Sequence, residues 1–461
     1  MASVRLINLS SLPIVGNQPI YPVGVVSVAA ALRADGHGVE IVDFVERPER
    51  AADLTWLDEP CDVIGFAIRD VDPIDIARFS FVGSFASFAA QVKMRTEGSG
   101  YRPLFVGGGT GVTLFPRELG ARLGLDAVVS GEGERALADL CRALKPMRAP
   151  GLSLLSTPDE EFPRRLFDHP ASLVKAYLRA KRSEIGVETR RRKCLRRCQY
   201  CPYAFINDGA LGEFREIGPL RRTIEQLYSL GVRHLFFTDA VFNNELVMAK
   251  RVCRLLVEIG YPDLQWSAYF VPSGFDQELA ELMAASGNHT VIFSPDSFDP
   301  RMLRQSGKGY SLKHVFQAKE ICDAVGLSSA WVLLFGSAHE DRNTIRCSAQ
   351  VANELFDDQE ISINVGIRLL PGSPLVKQLQ LQAEDLLQPV FYPIDPRVFD
   401  WILEDFEGRF FKRERMLRFL AMQTSLKNLT RRQFANPLDA SLDCLLIQER
   451  QGGLPAAPAF S

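Results

Sequence analysis

Long apolar segments are missing from this chain. Its 461 residues include no uninterrupted hydrophobic run of the roughly 18 residues that a membrane-spanning helix needs. The most apolar stretch, FSFVGSFASFAA, is short and broken by Ser and Gly, which is typical of a buried helix. The first residues, MASVRLINLSSLPIVG, have no charged start followed by an apolar core, so they predict a strand and not a secretory signal. We therefore expect no membrane segment.

An excess of basic charge is also missing. Lys and Arg number 53 against 56 Asp and Glu, which gives a net charge of −3. This balance does not favour nucleic acid as a partner, and any basic binding surface has to be local. The composition is 46% hydrophobic and 24% charged, which indicates a globular protein. A chain of this length exceeds one ordinary core and predicts two or three domains.

Cysteine and histidine are scarce. The chain has nine Cys and six His. Six cysteines are scattered, mostly in apolar segments where a small buried thiol is expected: Cys61, Cys141, Cys253, Cys322, Cys347 and Cys444. An odd cysteine count without a secretory signal argues against a disulfide framework, and it predicts a reducing, cytoplasmic location.

Residues 1–148 alternate short β-branched apolar runs with amphipathic helices. The predicted strands are VRLINLS, GVEIVDF, DVIGFAI, PLFVGGGTG and LDAVVSGEGE. This order predicts a parallel sheet covered by helices on both faces, that is, a doubly wound, Rossmann-like α/β domain. Ligands of such sheets bind at the carboxyl ends of the strands. Here those ends carry the loops LSSLPIVGNQPIYPVG, RDVDP, GGGTG and GEGE.

A second alternating series follows a change in composition. Residues 149–185 are Pro-rich and then basic, and we interpret them as a linker and a helix. Residues 186–380 hold six further strands alternating with helices, with the first strand at EIGVET. A closed barrel has eight such units, so six predict a partial barrel. Residues 381–461 indicate a mostly helical region with a disordered tail.

Three of the nine cysteines stand together. Cys194, Cys198 and Cys201 are spaced C-x3-C-x2-C directly after EIGVET, so we expect them in a loop at the carboxyl end of a barrel strand. Closely spaced thiolates suit zinc or an iron–sulfur cluster. A closed zinc site needs four ligands, and no fourth Cys or His is near. On a [4Fe–4S] cluster, three ligands leave one iron open to a substrate.

This spacing at this place resembles the radical S-adenosylmethionine (SAM) superfamily, and the order of further segments resembles its branch with an N-terminal cobalamin-binding domain. Those segments span about residues 1 to 395 and include YPVGVVSVAAALRADGHGVEIVDF, LFVGGGTGVTLFP, DAVVSGEGE, FFTDAVFNN, SPDSFDPRMLRQSGKGYS and GIRLLPGSPL. The resemblance implies that the three cysteines hold a [4Fe–4S] cluster. The free iron of that cluster would chelate SAM, and the reduced cluster would cleave it.

Six further residues are placed near SAM by the resemblance: Asp239 and Asn243 at its amino group, Asp296 and Ser297 at its ribose, Glu340 in the turn GSAHE, and Arg368 beside the last strand. Structural alternatives remain. Asp239 can cap a helix, and Asp296 with Ser297 can shape a turn. Arg368 can belong to a surface ion pair. No catalytic acid or base is assigned, because radical abstraction of hydrogen needs none.

In relatives the N-terminal domain holds cobalamin. Binding would rest on backbone amides and small side chains of the glycine loops, namely Gly107, Gly108, Gly109, Thr110, Gly131 and Glu132. The motif D-x-H-x-x-G, which supplies a cobalt-ligating histidine in one group of cobalamin proteins, is absent. His37 lies before its strand, at the wrong end of the sheet for that role. A domain that keeps the fold without the cofactor is the alternative.

The leading hypothesis is therefore a cobalamin-dependent radical SAM methyltransferase that acts on an unactivated centre of a small metabolite, as in natural-product biosynthesis. An alternative is a radical SAM transferase that moves the 3-amino-3-carboxypropyl group of SAM, or a radical rearrangement or cyclisation, without cobalamin. A third hypothesis is a protein without enzymatic activity that binds an iron–sulfur cluster or zinc for a structural purpose.

The resemblance also implies an external electron donor of the flavodoxin or ferredoxin type. The basic run from Arg190 to Lys193, with Arg196 and Arg197, is compatible with an anionic substrate.

Overall fold

The computed structural model describes residues 1–74, 80–143, 152–156, 168–180, 184–189, 194–203, 215–406 and 409–410. The chain divides into two compact units. The first unit holds the described residues within 1–73, 80–188 and 209–234, and the second holds those within 74–79, 189–208 and 235–461. The predicted disordered tail lies outside the described residues, as does most of the predicted C-terminal helical region.

Twelve strands are described: β1 Ser3–Asn8, β2 Gly38–Val42, β3 Val63–Ala67, β4 Leu104–Gly108, β5 Ala127–Ser130, β6 Ser153–Ser156, β7 Glu184–Val187, β8 His234–Phe237, β9 Gln265–Phe270, β10 Asn288–Asp296, β11 Ser329–Phe335 and β12 Ile361–Val365. The described α-helices are α1 Val23–Ala34, α2 Val82–Gly98, α3 Thr110–Leu114, α4 Pro116–Leu123, α5 Gly133–Arg142, α6 Ala171–Arg179, α7 Ile217–Ser229, α8 Leu246–Ile259, α9 Gln277–Ala285, α10 Pro300–Gln305, α11 Leu312–Val325, α12 Arg342–Leu355, α13 Pro374–Gln378, α14 Ala383–Leu386 and α15 Arg397–Asp405.

The first sheet has the strand order β2-β1-β3-β4-β5-β6, and neighbouring strands are parallel. Val4 is in register with Val39 on one side and Val63 on the other. The order reverses between β1 and β3, so the loops after these two strands leave a crevice at the carboxyl edge. The doubly wound α/β prediction is confirmed.

Apolar side chains at alternate positions of these strands form a hydrophobic core on one face of the sheet. Val4, Leu6, Val63 and Val106 lie in one buried cluster with residues of α1 and α5, such as Leu32. Strand β6 was not predicted, because its four residues SLLS stand inside a Pro-rich connector. It pairs with β5 and extends the sheet by one strand.

The second sheet has the order β12-β11-β10-β9-β8-β7, which matches the six predicted strands in sequence order. The pairs from β9 to β12 are parallel. Aromatic rings fill the space beside these strands: Phe270 packs against Phe293, and Phe293 stacks on Trp331 with ring centroids 4.3 Å apart. These large buried rings hold the strands firmly and so position the loops at their carboxyl ends.

None of the helices in the described part of the chain is long and apolar enough to cross a membrane.

Candidate functional site

The cysteine loop, residues 194–203, follows β7 in the chain. Cys194, Cys198 and Cys201 are all partly exposed. The thiols lie close enough to influence one another's ionisation, and burial raises the pKa of each, that of Cys201 to about 11. The predicted basic residues from Arg190 to Lys193 lie outside the described residues.

Backbone contacts fasten this loop to two distant segments. The N–H of Gln199 donates to the carbonyl of Ser306 (3.0 Å), and the carbonyl of Gln199 accepts from the N–H of Leu375 (2.9 Å). Gly307 has a φ of +72°, and a Cβ there would lie 2.4 Å from the carbonyl oxygen of Arg197. Glycine at 307 therefore permits the close approach of the two backbones.

Arg196 is committed to neighbouring groups. Its guanidinium donates to Ser273 Oγ (2.6 Å) and lies over the ring of Tyr310, 5.8 Å from the centroid. Its backbone N–H donates to Cys194 Sγ (3.4 Å). The side chain thus braces the loop, while Arg197 is exposed.

A network of polar side chains packs against the cysteine loop. The carboxylate of Asp296, at the end of β10, accepts a hydrogen bond from the Tyr200 hydroxyl (2.7 Å) and pairs with Lys308 Nζ (2.6 Å). Lys308 also donates to the Ser294 carbonyl (2.9 Å). Burial alone would lower the pKa of Lys308, but the charge of Asp296 and the Tyr200 hydroxyl raise it well above its ordinary value. The ammonium is therefore charged.

Sequence reasoning did not single out Lys308. The signal was present, because the lysine stands between two glycines of positive φ in SGKGY and is only 5% exposed. A buried lysine is uncommon unless it is paired. Its partner Asp296 also has a positive φ of 68°, which is rare for a residue other than glycine and indicates a position held by its surroundings.

The residues predicted near the SAM amino group are engaged with the backbone. Asp239, just after β8, accepts from the Thr189 hydroxyl (2.7 Å) and N–H (3.1 Å). The amide of Asn243 donates to the carbonyl of Val271 (2.8 Å) and accepts from its N–H (3.0 Å). Both side chains join the turns at the carboxyl ends of successive strands.

Two further predicted residues also have partners within the chain. The hydroxyl of Ser297 is bonded to that of Ser348 on α12 (2.9 Å). Glu340 accepts from the N–H groups of Gly336 and Ser337, and burial raises its pKa to about 8. Together these bonds close the turns after β10 and β11.

Arg368 is 3% exposed, so it is a buried residue and not part of the surface. Its guanidinium donates to the carbonyls of Leu369 (2.6 Å) and Leu386 (2.7 Å). The side chain therefore ties the end of the second sheet to α14.

The glycine loops of the first unit play different parts. A Cβ on Gly107 would lie 2.5 Å from Leu125 Cδ1, and a Cβ on Gly109, at φ +97°, would lie 2.5 Å from the Ile68 carbonyl oxygen. These two glycines permit close packing. Gly108 and Gly131 have no atom within 4 Å of a Cβ position, so they leave open backbone at the carboxyl edge. Thr110 begins α3.

Glu132 is the N-cap residue of α5, and the preceding Gly131 donates its N–H to Thr113 Oγ1 (3.0 Å). The loops after β4 and β5 are thereby linked. His37 is buried at the amino-terminal end of β2, where Nδ1 accepts from the N–H of Ala2 (3.1 Å). His37 therefore lies before β2, at the end of the sheet where the sequence placed it.

Each cofactor implied by the resemblance fits the chemistry of its loop. Three soft sulfur donors on a braced loop match the thiolate ligation of an iron–sulfur cluster. Open glycine backbone at the edge of a doubly wound sheet matches a bulky polar cofactor. Among the described residues, no set of three or more His, Cys, Asp or Glu converges on a single metal-ion position.

Two family models match this chain. The B12 binding domain matches residues 14–141, and the radical SAM superfamily matches residues 191–347. Together the two matches take in more than half of the sequence, in the order expected.

Two curated relatives are methyltransferases by name. An uncharacterized methyltransferase of Pyrococcus horikoshii is 27% identical over 357 residues, which is 73% of this chain and 74% of the relative. Tryptophan 2-C-methyltransferase of Streptomyces laurentii is 24% identical over 83% of this chain and 75% of its own length.

Solved structures share the fold. The radical SAM methyltransferase TsrM of Kitasatospora setae, determined with tryptophan substrate and a SAM analogue, superposes with a TM-score of 0.71 at 24% identity, over 82% of this chain and 76% of that one. The cobalamin-dependent SAM radical enzyme OxsB, with aqua-cobalamin bound, superposes with a TM-score of 0.64 at 14% identity, over 82% and 61%. The chain belongs to the radical SAM enzymes that carry an N-terminal cobalamin-binding domain.

Proposed function

We propose that this chain transfers a methyl group from SAM, by way of cobalamin, to a carbon of a small metabolite. The observation that carries the proposal is the presence on one chain of a B12-binding match, a radical SAM match and a C-x3-C-x2-C loop near the start of that second match. When bound, the cluster supplies the electron that cleaves SAM, and cobalamin carries the methyl group.

Cys194, Cys198 and Cys201 would hold the cluster and leave one iron for SAM. The backbone bonds at Gln199 keep the loop in place before the cluster binds, so less ordering is needed on binding. The chain's contribution would be positioning and the exclusion of water, and no acid or base is assigned.

We assign the six residues predicted near SAM to its binding site because they lie at or after the carboxyl ends of the strands. Asp239, Asn243, Asp296 and Glu340 have side chains already bonded to protein groups. We expect them to shape the SAM pocket mainly by fixing turn backbones, so that the exposed backbone groups of those turns meet the ligand.

Cobalamin would rest on the loops after β4 and β5, at Gly107 to Thr110 and at Gly131 and Glu132. The open surface at Gly108 and Gly131 supports this placement.

Tryptophan and related indoles are the first substrates to test, because one relative is named for its methylation and another was solved with it. An acidic substrate remains compatible with exposed Arg197. A flavodoxin or ferredoxin in the cytoplasm would supply the electrons.

Product analysis tests the proposal. The chain is produced with cobalamin supplied, reconstituted with iron and sulfide without oxygen, and mixed with SAM, a reductant and an indole. A cobalamin optical spectrum, S-adenosylhomocysteine, 5′-deoxyadenosine and a product in which methyl replaces one hydrogen atom are expected. 5′-Methylthioadenosine as the main product would instead establish transfer of the 3-amino-3-carboxypropyl group and refute methyl transfer.

A further inference from the structure

The segment that packs against the cysteine loop carries a buried ion pair whose lysine has no role in the proposed reaction. Lys308 Nζ and the Asp296 carboxylate are 2.6 Å apart, and their side chains are 6% and 8% exposed. An ion pair so deeply buried costs free energy of desolvation, so it contributes little to stability compared with an apolar pair of the same size. Its position next to the cysteines therefore indicates a role other than stabilising the fold.

Tyr200 connects this pair to the loop. It stands between Cys198 and Cys201, and its hydroxyl is 2.7 Å from Asp296 Oδ2 and 3.2 Å from Lys308 Nζ. The ammonium also lies 5.5 Å from the centre of the Tyr200 ring. The backbone between the last two cysteines is thus held by a side chain that is itself fixed by two charges.

Lys308 lies against the cysteine loop. Its ammonium donates to the hydroxyl of Tyr200, which directly precedes Cys201 in the chain. Gly307, the residue before Lys308, packs against the carbonyl of Arg197, which directly precedes Cys198. The buried cation therefore stands beside the segment that carries the last two cysteines.

The reduction potential of an iron–sulfur cluster depends on nearby charge and on solvent exposure, because reduction adds a negative charge. In a low-dielectric interior a fixed cation acts more strongly than an exposed one. We propose that Lys308 and Asp296 are positioning residues of the cluster loop: Asp296 holds Tyr200 in place, and Lys308 supplies a buried positive charge that raises the reduction potential of the cluster. This inference rests on the proposed cluster at Cys194, Cys198 and Cys201.

The test is a redox titration of the reconstituted full chain, followed by electron paramagnetic resonance, with iron content measured in parallel. Lys308→Met removes the charge at nearly constant volume, and Lys308→Arg keeps it. Lys313→Met makes the same change in net charge at an exposed position of α11 and serves as the matched control.

In Lys308→Met we expect the ratio of reduced to oxidised cluster at a fixed potential to fall about tenfold, which is about 59 mV for a one-electron couple. Lys308→Arg and Lys313→Met should retain the wild-type midpoint. Loss of iron from Lys308→Met, with full iron in Lys308→Arg, would also support the inference, because it would show that the charge holds the loop. Tyr200→Phe should lose iron to a chelator faster than wild type at an unchanged midpoint.

A Lys308→Met protein that holds the wild-type amount of iron and titrates at the midpoint of Lys313→Met would overturn the inference. That result leaves the proposed function intact, since wild type would still bind its cluster and cleave SAM. If wild type itself assembles no cluster, the proposed function fails and this inference fails with it.

Discussion

Thr189 donates both its backbone N–H and its hydroxyl to the carboxylate of Asp239, at 3.1 and 2.7 Å. Thr189 follows β7 and Asp239 follows β8, so the pair joins the turns that precede the cysteine loop and the predicted SAM contacts. Both residues are buried, at 3% and 8% exposure. A charge-assisted bond in such a place holds these two turns together.

Removal of that hydroxyl should loosen the turn. Thr189→Val keeps the shape but leaves the Asp239 carboxylate with one donor fewer, and a hydrogen bond to a charged group contributes about 1.5–3 kcal/mol. We expect a lower midpoint in denaturant unfolding and weaker retention of iron. Thr189→Ser keeps the donor and should behave as wild type. Equal midpoints for the Val and Ser variants would count against this role of the pair.

The three loop cysteines should be separable from the other thiols by iron content. Replacement of Cys194, Cys198 or Cys201 by Ala should remove most of the iron and abolish SAM cleavage, because each supplies one of only three thiolates. Cys347, which is also partly exposed, lies on α12 and is the control: Cys347→Ala should bind the wild-type amount. Normal SAM cleavage in any of the three loop variants would refute the assignment.

Gly307 should be needed for the cysteine loop in a way that Gly326 is not. Both have positive φ, +72° and +75°, so Ala at either position costs roughly 1 kcal/mol or more of backbone strain. Only at 307 would the new Cβ also strike the carbonyl of Arg197. We expect both variants to lose stability and Gly307→Ala alone to lose iron. Equal iron content in the two would show that the loop tolerates displacement.

Substitution of the adjacent glycines Gly108 and Gly109 should have different effects, on cofactor binding at Gly108 and on stability at Gly109. Gly109→Ala places a Cβ 2.5 Å from the Ile68 carbonyl at a φ of +97°, and it should lower the unfolding midpoint clearly. Gly108→Ala meets no atom within 4 Å and should leave the midpoint unchanged. Because its methyl group enters the open surface assigned to cobalamin, we expect it to weaken cobalamin binding in an optical titration. Unchanged affinity would remove Gly108 from that surface.

Glu340 should give the stability a recognisable pH dependence. Burial raises the pKa of Glu340 to about 8, above its ordinary value of 4.5, so the folded state holds a proton that the unfolded state releases. The free energy of unfolding should therefore fall as the pH rises from about 4.5 to about 8, by at most about 1.4 kcal/mol per pH unit.

Glu340→Gln stays neutral and can still accept from the N–H groups of Gly336 and Ser337. The comparison is the slope of unfolding free energy between pH 5 and 8 in the two proteins. A shallower slope in the variant is expected, and parallel slopes would mean that Glu340 titrates normally.

Much of the fold of this protein could be predicted from local sequence patterns. The order of strands and helices follows from short apolar runs that alternate with amphipathic segments, and the predicted strands match β1–β5 and β7–β12. The place of the cysteine loop after β7 follows from its position in the chain alone. Strand β6 was missed because four residues within a Pro-rich connector carry too little pattern, and its pairing with β5 supplies what its sequence lacks.

Only the tertiary structure decided what the polar side chains contact. Tyr200 and Asp296 are 96 positions apart, and Lys308 meets both only because the segment after β10 packs against the cysteine loop. Asn243 and Arg368 bond to backbone groups that no local pattern indicates. The sequence alone determined the order of elements and the set of three thiols, since both depend on neighbours in the chain. The charges and braces around those thiols depend on distant residues brought together by packing, and only the folded structure decides them.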